Sequence, residues 1–415
     1  MGEWKELFQS SSVRSQTQSG LSCSRCGLSN RVNTPCMPSF GEGAKGVLWI
    51  GEAPGEEEDR IGRPWQGKAG RYLQRILREF DFDLFKDAVC INSVNCRPPE
   101  NRAPSSTEIA HCRKYVFQAI QKYKPKVIVL AGASAVESVI GNRWRKGLDG
   151  ISRWRGVHIP DREFNAWVCP VFHPSYILRS EDEPQIELIF KDDVAQAVSY
   201  CSIDMPQVTE LTREQDCVQI MQDDNELSKK LTSIVRCQQI IAFDYETSGL
   251  KPHADGHKIY CMSIATSENE SIVFKMPGKD SVNLQRIKEI LADKNISKIA
   301  HNMQFEDTWT KVILGVDVQG WEWDSMLAAH VLDNRSGYTG LKFQALINFG
   351  LYDYSSEIES YLKGVEGKDA NSMNRVDDFI NKVPNGEQKL LTYCGVDSLV
   401  EYRLAQYQRG LINGL

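Results

Sequence analysis

Two kinds of hydrophobic pattern alternate along the first half of this chain. Short unbroken apolar runs, Val47-Leu48-Trp49-Ile50 and Val127-Ile128-Val129-Leu130, are separated by stretches with apolar residues at helical spacing, Ala69 to Phe80 and Glu108 to Lys122. Continuous runs predict strands buried on both faces, and their alternation with amphipathic helices predicts an α/β layer around a mostly parallel sheet. Both strands run into glycine-containing turns, Gly51-Glu52-Ala53-Pro54-Gly55 and Ala131-Gly132-Ala133, at the end of the sheet where such folds bind ligands. A polar stretch from Ser202 to Glu214, containing Pro206, interrupts the pattern. Beyond it come a strand from Gln239 to Phe243 leading into Asp244-Tyr245-Glu246, an amphipathic segment from Leu284 to Leu291, a strand from Ser297 to Ala300, and several helices.

A chain of 415 residues is too long for one average core, so two domains are expected. The pattern places them at residues 21–200 and 201–415, after a polar Ser/Gln-rich tail over residues 1–20. There is no internal repeat or low-complexity tract. The formal net charge is −6, with the first half slightly basic and the second clearly acidic. That balance argues against a passive nucleic-acid coat, which draws on Lys and Arg, but suits an enzyme whose carboxylates surround a metal. The N-terminus has no apolar stretch resembling a signal peptide or membrane span, and Glu6 stands where a myristoylation signal after Gly2 needs Ser or Thr. A cytoplasmic protein without membrane contact is expected, and twelve cysteines there point to metal ligation rather than disulfides.

Cys23-x₂-Cys26 has the spacing of half a metal site, and Cys96 and Cys112 could complete four thiolates. By spacing alone, zinc and an iron–sulfur cluster stand equal. Around them lie Gly51-Glu52-Ala53-Pro54-Gly55-Glu56-Glu57-Glu58-Asp59, Gly62-Arg63-Pro64-Trp65, Asn92-x₃-Cys96-Arg97-Pro98-Pro99-x-Asn101-Arg102 and His173-Pro174-Ser175-Tyr176. In this order the motifs closely resemble the family 4 uracil-DNA glycosylases, over about residues 21–200. The resemblance implies a three-layer α/β domain with a [4Fe-4S] cluster on Cys23, Cys26, Cys96 and Cys112, leaving Cys36, Cys90 and Cys169 as small buried hydrophobes. It implies that His173 stabilises the departing uracil anion and that Asn92 reads the base edge. Trp65 holds the stacking position, Glu58 stands near the uracil C5, and Glu52, Ala53 and Ser175 line the pocket. Trp65 replaces the family's usual Phe and Gln66 a small apolar neighbour, which opens the pocket to another modified pyrimidine or to none. Arg143-Trp144-Arg145-Lys146 and Arg153-Trp154-Arg155 interleave cations and aromatics, as a DNA-gripping surface would. The alternative is a solvated loop with two core tryptophans.

In the second half, Asp244-x-Glu246 puts two carboxylates on one side of a strand end, and Tyr393-x₃-Asp397 puts a phenol and a carboxylate on one helix face. With His301-Asn302-x₂-Phe305-Glu306 and Trp323-Asp324-Ser325-Met326-Leu327, these resemble the DEDDy 3′→5′ exonuclease of family A DNA polymerases, over about residues 206–415. The resemblance implies an RNase H-like α/β fold and two Mg²⁺ or Mn²⁺ ions on Asp244, Glu246, Glu306 and Asp397, with Tyr393 orienting the attacking water. The family's second motif ends in Asp, so Asp307 stands as the substitute for Glu306; Asp324 reads as a structural acid or helix cap. The expected function is bifunctional: uracil excision from DNA and removal of 3′-terminal nucleotides. The chain is then the N-terminal part of a phage family A polymerase or a proofreading subunit of a separate polymerase polypeptide, at work in the bacterial host cytoplasm. The alternatives are a non-catalytic uracil- or template-binding module attached to the exonuclease, and a scaffold with neither site active.

Overall fold

The computed structural model describes residues 23, 25–144, 146–180, 182–204, 213–352, 354–362 and 373–414. The expected tail and Arg145 lie outside them, as does most of the polar stretch after Ser202. The first sheet is built from β1 (Val47–Gly51), β2 (Ala88–Asn92), β3 (Val127–Ala131), β4 (Ile159–Asp161) and β5 (Ala166–Val171). Its order is β2-β1-β3-β5-β4, parallel except for β4. The strand period sorts its side chains between two helical layers. Leu48, Ile50, Ile128 and Leu130 pack with Val116 and Ile120 of the helix Ser106–Tyr123. Val47, Trp49, Val127 and Val129 pack with Leu73 and Leu77 of Lys68–Arg78 and Phe190 and Val194 of Pro184–Ser199. Ser105 starts the helix Ser106–Tyr123 with a reciprocal capping box to Glu108.

The second sheet contains β6 (Val218–Ile220), β7 (Ile240–Thr247), β8 (Ile259–Ser267), β9 (Glu270–Lys275), β10 (Ser297–Ala300) and β11 (Trp321–Asp324). Its order is β11-β10-β7-β8-β9-β6, with β7, β8 and β9 antiparallel and the outer pairs parallel. Ile241, Phe243 and Tyr245 of β7 enter a core with the helices Asp224–Cys237 and Val282–Ala292. The alternate residues lie on the other face, where Ala242 packs with Ala405 of the 28-residue helix Gly386–Asn413. The period of two therefore puts Asp244 and Glu246 under that helix.

The two halves share a core. Phe343, Leu346 and Ile347 of the helix Leu341–Phe349 belong to the same buried cluster as Leu48, Trp144, Trp154 and Ile159. Phe343 sits edge-on to both tryptophans, with ring centroids 6.1 and 5.1 Å away. Gly350 ends this helix at φ +63°, and a Cβ there would collide with the Pro160 carbonyl of β4, so the close approach needs glycine. Arg143 pairs with Asp161 at 2.6 Å, both side chains nearly inaccessible, and the Tyr352 hydroxyl donates to the same carboxylate at 3.0 Å. Arg335 donates to the carbonyls of Ser152 and Arg155, and Glu214 bridges Arg162 to Arg403 at 2.9 Å each.

These contacts correct the expectation of a DNA-gripping surface. Trp144 and Trp154 are 3% and 0% exposed. Arg143, Arg153 and Arg155 are paired with Asp161, Asp149 and Asp193. The alternative was half right: the tryptophans are core, but the described arginines are held by carboxylates rather than solvated. No helix among the described residues is long and apolar enough to cross a membrane.

Candidate functional site

At the carboxyl ends of β1 and β2 lies a cavity of about 590 Å³ lined by Glu52, Ala53, Glu58, Trp65, Asn92, His173 and Ser175, with Arg60, Lys68, Arg102 and Arg179 among its other residues. Gly51 and Asn92 are cross-strand partners that end their strands together. A Cβ on Gly51 would lie 2.5 Å from Asn92 Oδ1 and 2.8 Å from the Trp65 ring, so only glycine lets both reach this depth. Trp65 has φ +59°, a strained backbone for a bulky residue, and its carbonyl is held by Gln74 at 3.1 Å. Its indole stacks on the His173 imidazole, centroids 5.4 Å apart and planes 25° from parallel. Gln66 does not line the cavity; its amide turns back to the Pro64 carbonyl at 3.0 Å.

His173 is the N-cap of the short helix Pro174–Ile177. The backbone N–H of Ser175 donates to Nδ1 at 3.2 Å, and the Ser175 hydroxyl lies 2.8 Å from the same atom. Because a backbone amide can only donate, Nδ1 carries the lone pair and the proton sits on Nε2. Burial, with Arg179 nearby, lowers the imidazole pKa to about 4, so the ring is neutral at neutral pH. Glu58 accepts from the backbone amides of Gly55 at 3.1 Å and Gly67 at 2.7 Å, tying the two loops that form the pocket wall. Burial raises the Glu52 carboxyl, which the Ser134 hydroxyl meets at 3.3 Å. Arg179, six residues past His173, was not foreseen.

Cys26, Cys96 and Cys112 gather with Leu28, Val94 and Ile109, against which Ala53 of the cavity lining packs. Cys23 lies in the same electrostatic neighbourhood, acting on Cys112, and no disulfide forms among the described cysteines. Cys36, expected to be an inert hydrophobe, joins them at φ +52° and donates its backbone N–H to Cys96 Sγ at 3.2 Å. Burial pushes the Cys96 and Cys112 thiols up to about 12 and about 11, so cationic metal is what would make them thiolates. Asp59 ties this loop to the pocket by accepting from the amides of Asn33 and Thr34 at 3.1 and 2.9 Å.

The second constellation lies between β7 and the helix Gly386–Asn413. Ligand oxygens of Asp244, Glu246 and Asp397 fall within 4.8 Å of one another. Burial and mutual repulsion raise the Asp244 and Glu246 carboxyls far above their ordinary range. Glu306 is 2% exposed, is raised by burial and by Asp244, and its Oε2 has no hydrogen-bond partner. Asp307 turns away to accept from the Trp321 indole at 3.2 Å. Asp324 caps the helix Ser325–Leu332 and also receives the amides of Asn302 and Met303. Tyr393 is one turn before Asp397, with its ring 6.0 Å from that of Tyr354. Lys342 and the Tyr354 hydroxyl both bind Asp397 Oδ1, the latter at 2.6 Å, and Lys342 lies over both tyrosine rings at 4.1 and 4.2 Å. Sequence reading missed both residues; neither belongs to a local motif.

Residues 38–196 match the uracil DNA glycosylase superfamily and residues 218–407 the 3′-5′ exonuclease family. A type-4 uracil-DNA glycosylase of Thermotoga maritima is 36% identical over 43% of this chain and 88% of its own length. A DNA polymerase of Bacillus phage SP01 is 24% identical over 72% of this chain, a span neither half can contain alone. The chain covers 34% of that polymerase's length. Among solved structures, RNase D of Trypanosoma brucei is similar over 48% of this chain and 67% of its own, at 16% identity and a TM-score of 0.38. The chain therefore belongs to the type-4 uracil-DNA glycosylase family, with a 3′-5′ exonuclease domain joined behind the glycosylase domain.

Proposed function

We propose that this chain removes uracil from DNA in its first cavity and hydrolyses 3′-terminal phosphodiesters at its second site. The carrying observation is that a pocket of about 590 Å³ with a neutral histidine and a separate trio of close carboxylates stand on different sheets of one chain. An extruded uracil would lie on Trp65 with its edge toward Asn92, its C5 toward the wall that Glu58 braces. As the glycosidic bond breaks, negative charge grows on the base oxygens, and the neutral His173 donates its Nε2–H to it. Cys23, Cys26, Cys96 and Cys112 would hold the [4Fe-4S] cluster, which supplies structural cross-linking between the N-terminal loop and the pocket. The amide of Cys36 suits that assignment, since it donates to a ligand sulfur.

At the second site, Asp244, Glu246, Glu306 and Asp397 would hold two Mg²⁺ or Mn²⁺ ions, which activate water and stabilise the leaving oxygen when bound. Glu306 rather than Asp307 fills the fourth position, because its carboxylate is buried toward Asp244 while Asp307 faces Trp321. Tyr393 orients the water. The substrates are uracil-containing DNA and DNA 3′ ends in the cytoplasm of a bacterial host, in company with a polymerase carried on the same or a separate polypeptide. The likeness to a phage polymerase across both halves supports this setting. A second reading, uracil recognition without excision, rests on the Trp65 indole stacked against His173. The two activities separate with Asp244→Ala and His173→Ala, assayed on an oligonucleotide carrying internal uracil and a labelled 3′ end. Asp244→Ala stops trimming and keeps uracil release, and His173→Ala keeps trimming while strongly slowing uracil release. Uracil bound without an abasic product in the unaltered protein would favour the second reading.

A further inference from the structure

Around the first cavity the acids have partners within the chain, and three of the cations have none. Glu58 accepts from two backbone amides, and the Ser134 hydroxyl meets Glu52. Glu57 pairs with Arg71 at 3.0 Å and Glu56 with Arg97 at 3.7 Å. Among the basic residues of the lining, Arg102 is held by the Glu108 carboxylate at 2.7 Å. Arg60, Lys68 and Arg179 are exposed, and no described residue forms an ion pair or hydrogen bond with their side chains.

Each of the three is fixed to a segment that also carries a pocket residue. Arg60 lies in the helix Glu56–Ile61 with Glu58, and Lys68 opens the helix Lys68–Arg78 three residues after Trp65. Arg179 follows the helix Pro174–Ile177, which His173 caps. A base leaves the DNA stack by rotating about its own backbone, so the phosphates on either side of it are carried to the rim of the pocket that receives it. Unpaired cations on that rim have their counterpart in those phosphates: a guanidinium can fork onto two oxygens of one group, and an ammonium acts as a point charge. Such contacts hold the backbone in register and leave the reading of the base to the pocket walls.

We infer that Arg60, Lys68 and Arg179 bind the phosphates flanking the extruded nucleotide. The inference rests on the uracil reading above. It puts the DNA grip of the first half at the cavity rim, where the cations are unpaired, and not in the Arg-Trp segments, where carboxylates hold the described arginines.

The test follows binding of the full chain, in excess chelator, to a labelled duplex with one internal 2′-fluorodeoxyuridine, whose glycosidic bond resists cleavage. Fluorescence anisotropy across a salt series compares the unaltered protein with Arg60→Gln, Lys68→Gln and Arg179→Gln, thermal melting checking the fold. Lys124→Gln, an exposed lysine ahead of the amino end of β3, is the control. Each rim substitution lowers the slope of log affinity against log salt by roughly 0.9, and the control leaves it unchanged. Replacing the two phosphates beside the fluorinated nucleotide with neutral methylphosphonates weakens binding by the unaltered protein, and weakens binding by the rim variants less. Slopes that the rim substitutions do not move, or losses from substitution and methylphosphonate that simply multiply, overturn the proposal. If the slopes fall as stated but the unaltered protein releases no base from an ordinary uracil duplex, the excision reading fails and the phosphate contacts stand. No binding by the unaltered protein overturns both.

Discussion

At His173 one backbone amide decides the chemistry. Because the Ser175 N–H claims Nδ1, the imidazole must present Nε2–H, and burial keeps it neutral down to a pKa of about 4. Single-turnover uracil release is therefore expected to stay level from pH 8 to 5 and fall only as pH approaches 4, where a second ring proton would confront the Ser175 amide. An inflection near the ordinary histidine value would show that the ring titrates freely. Removing the donor with His173→Ala should slow release by about 10²–10³-fold. Trp65 invites a companion test: Trp65→Phe should preserve release, whereas Trp65→Ala should forfeit roughly 1–3 kcal/mol of base stacking, both read from kcat/KM. Residues such as His173, Asn92 and Glu58 were legible because short contiguous motifs at strand ends carry them. Lys342 was not, since its role depends on Asp397, 55 residues away.

Among the elements, the helix Leu341–Phe349 and the segment after it serve both halves at once. Lys342 and Tyr354 reach Asp397, while Phe343 and Tyr352 are seated in the glycosylase half. Phe343→Ala removes a fully buried ring and should cost about 3–5 kcal/mol of stability. Because the same helix carries Lys342, the exonuclease activity should fall further than uracil release, and Phe343→Leu should recover both. Equal activities in Phe343→Ala and the unaltered protein would mean that the shared core does not govern the acid centre. The strands and long helices were readable from their apolar periods, down to the sheet end that holds the pocket. The two Arg-Trp segments were misread because composition cannot tell a phosphate partner from a carboxylate one. Two of their partners, Asp161 and Asp193, lie 18 and 38 residues further on, and Phe343 comes from the other half of the chain.

Across the whole molecule, two proposed chemistries have opposite needs. Uracil release as proposed would use a neutral histidine and fixed donors and would need no divalent ion. Trimming as proposed would depend on carboxylates that crowd within 4.8 Å and repel one another unless cations join them. The shared core between the halves keeps the two pockets in one body without merging them, which suits a protein that meets uracil and 3′ ends on the same DNA. The direct measurement follows one oligonucleotide, with an internal uracil and a labelled 3′ terminus, incubated with the full chain in excess chelator and again in Mg²⁺. Alkali-labile abasic sites are expected under both conditions and 3′ shortening only with Mg²⁺. An intact uracil strand under chelator, or trimming that persists without divalent ions, would contradict that expectation.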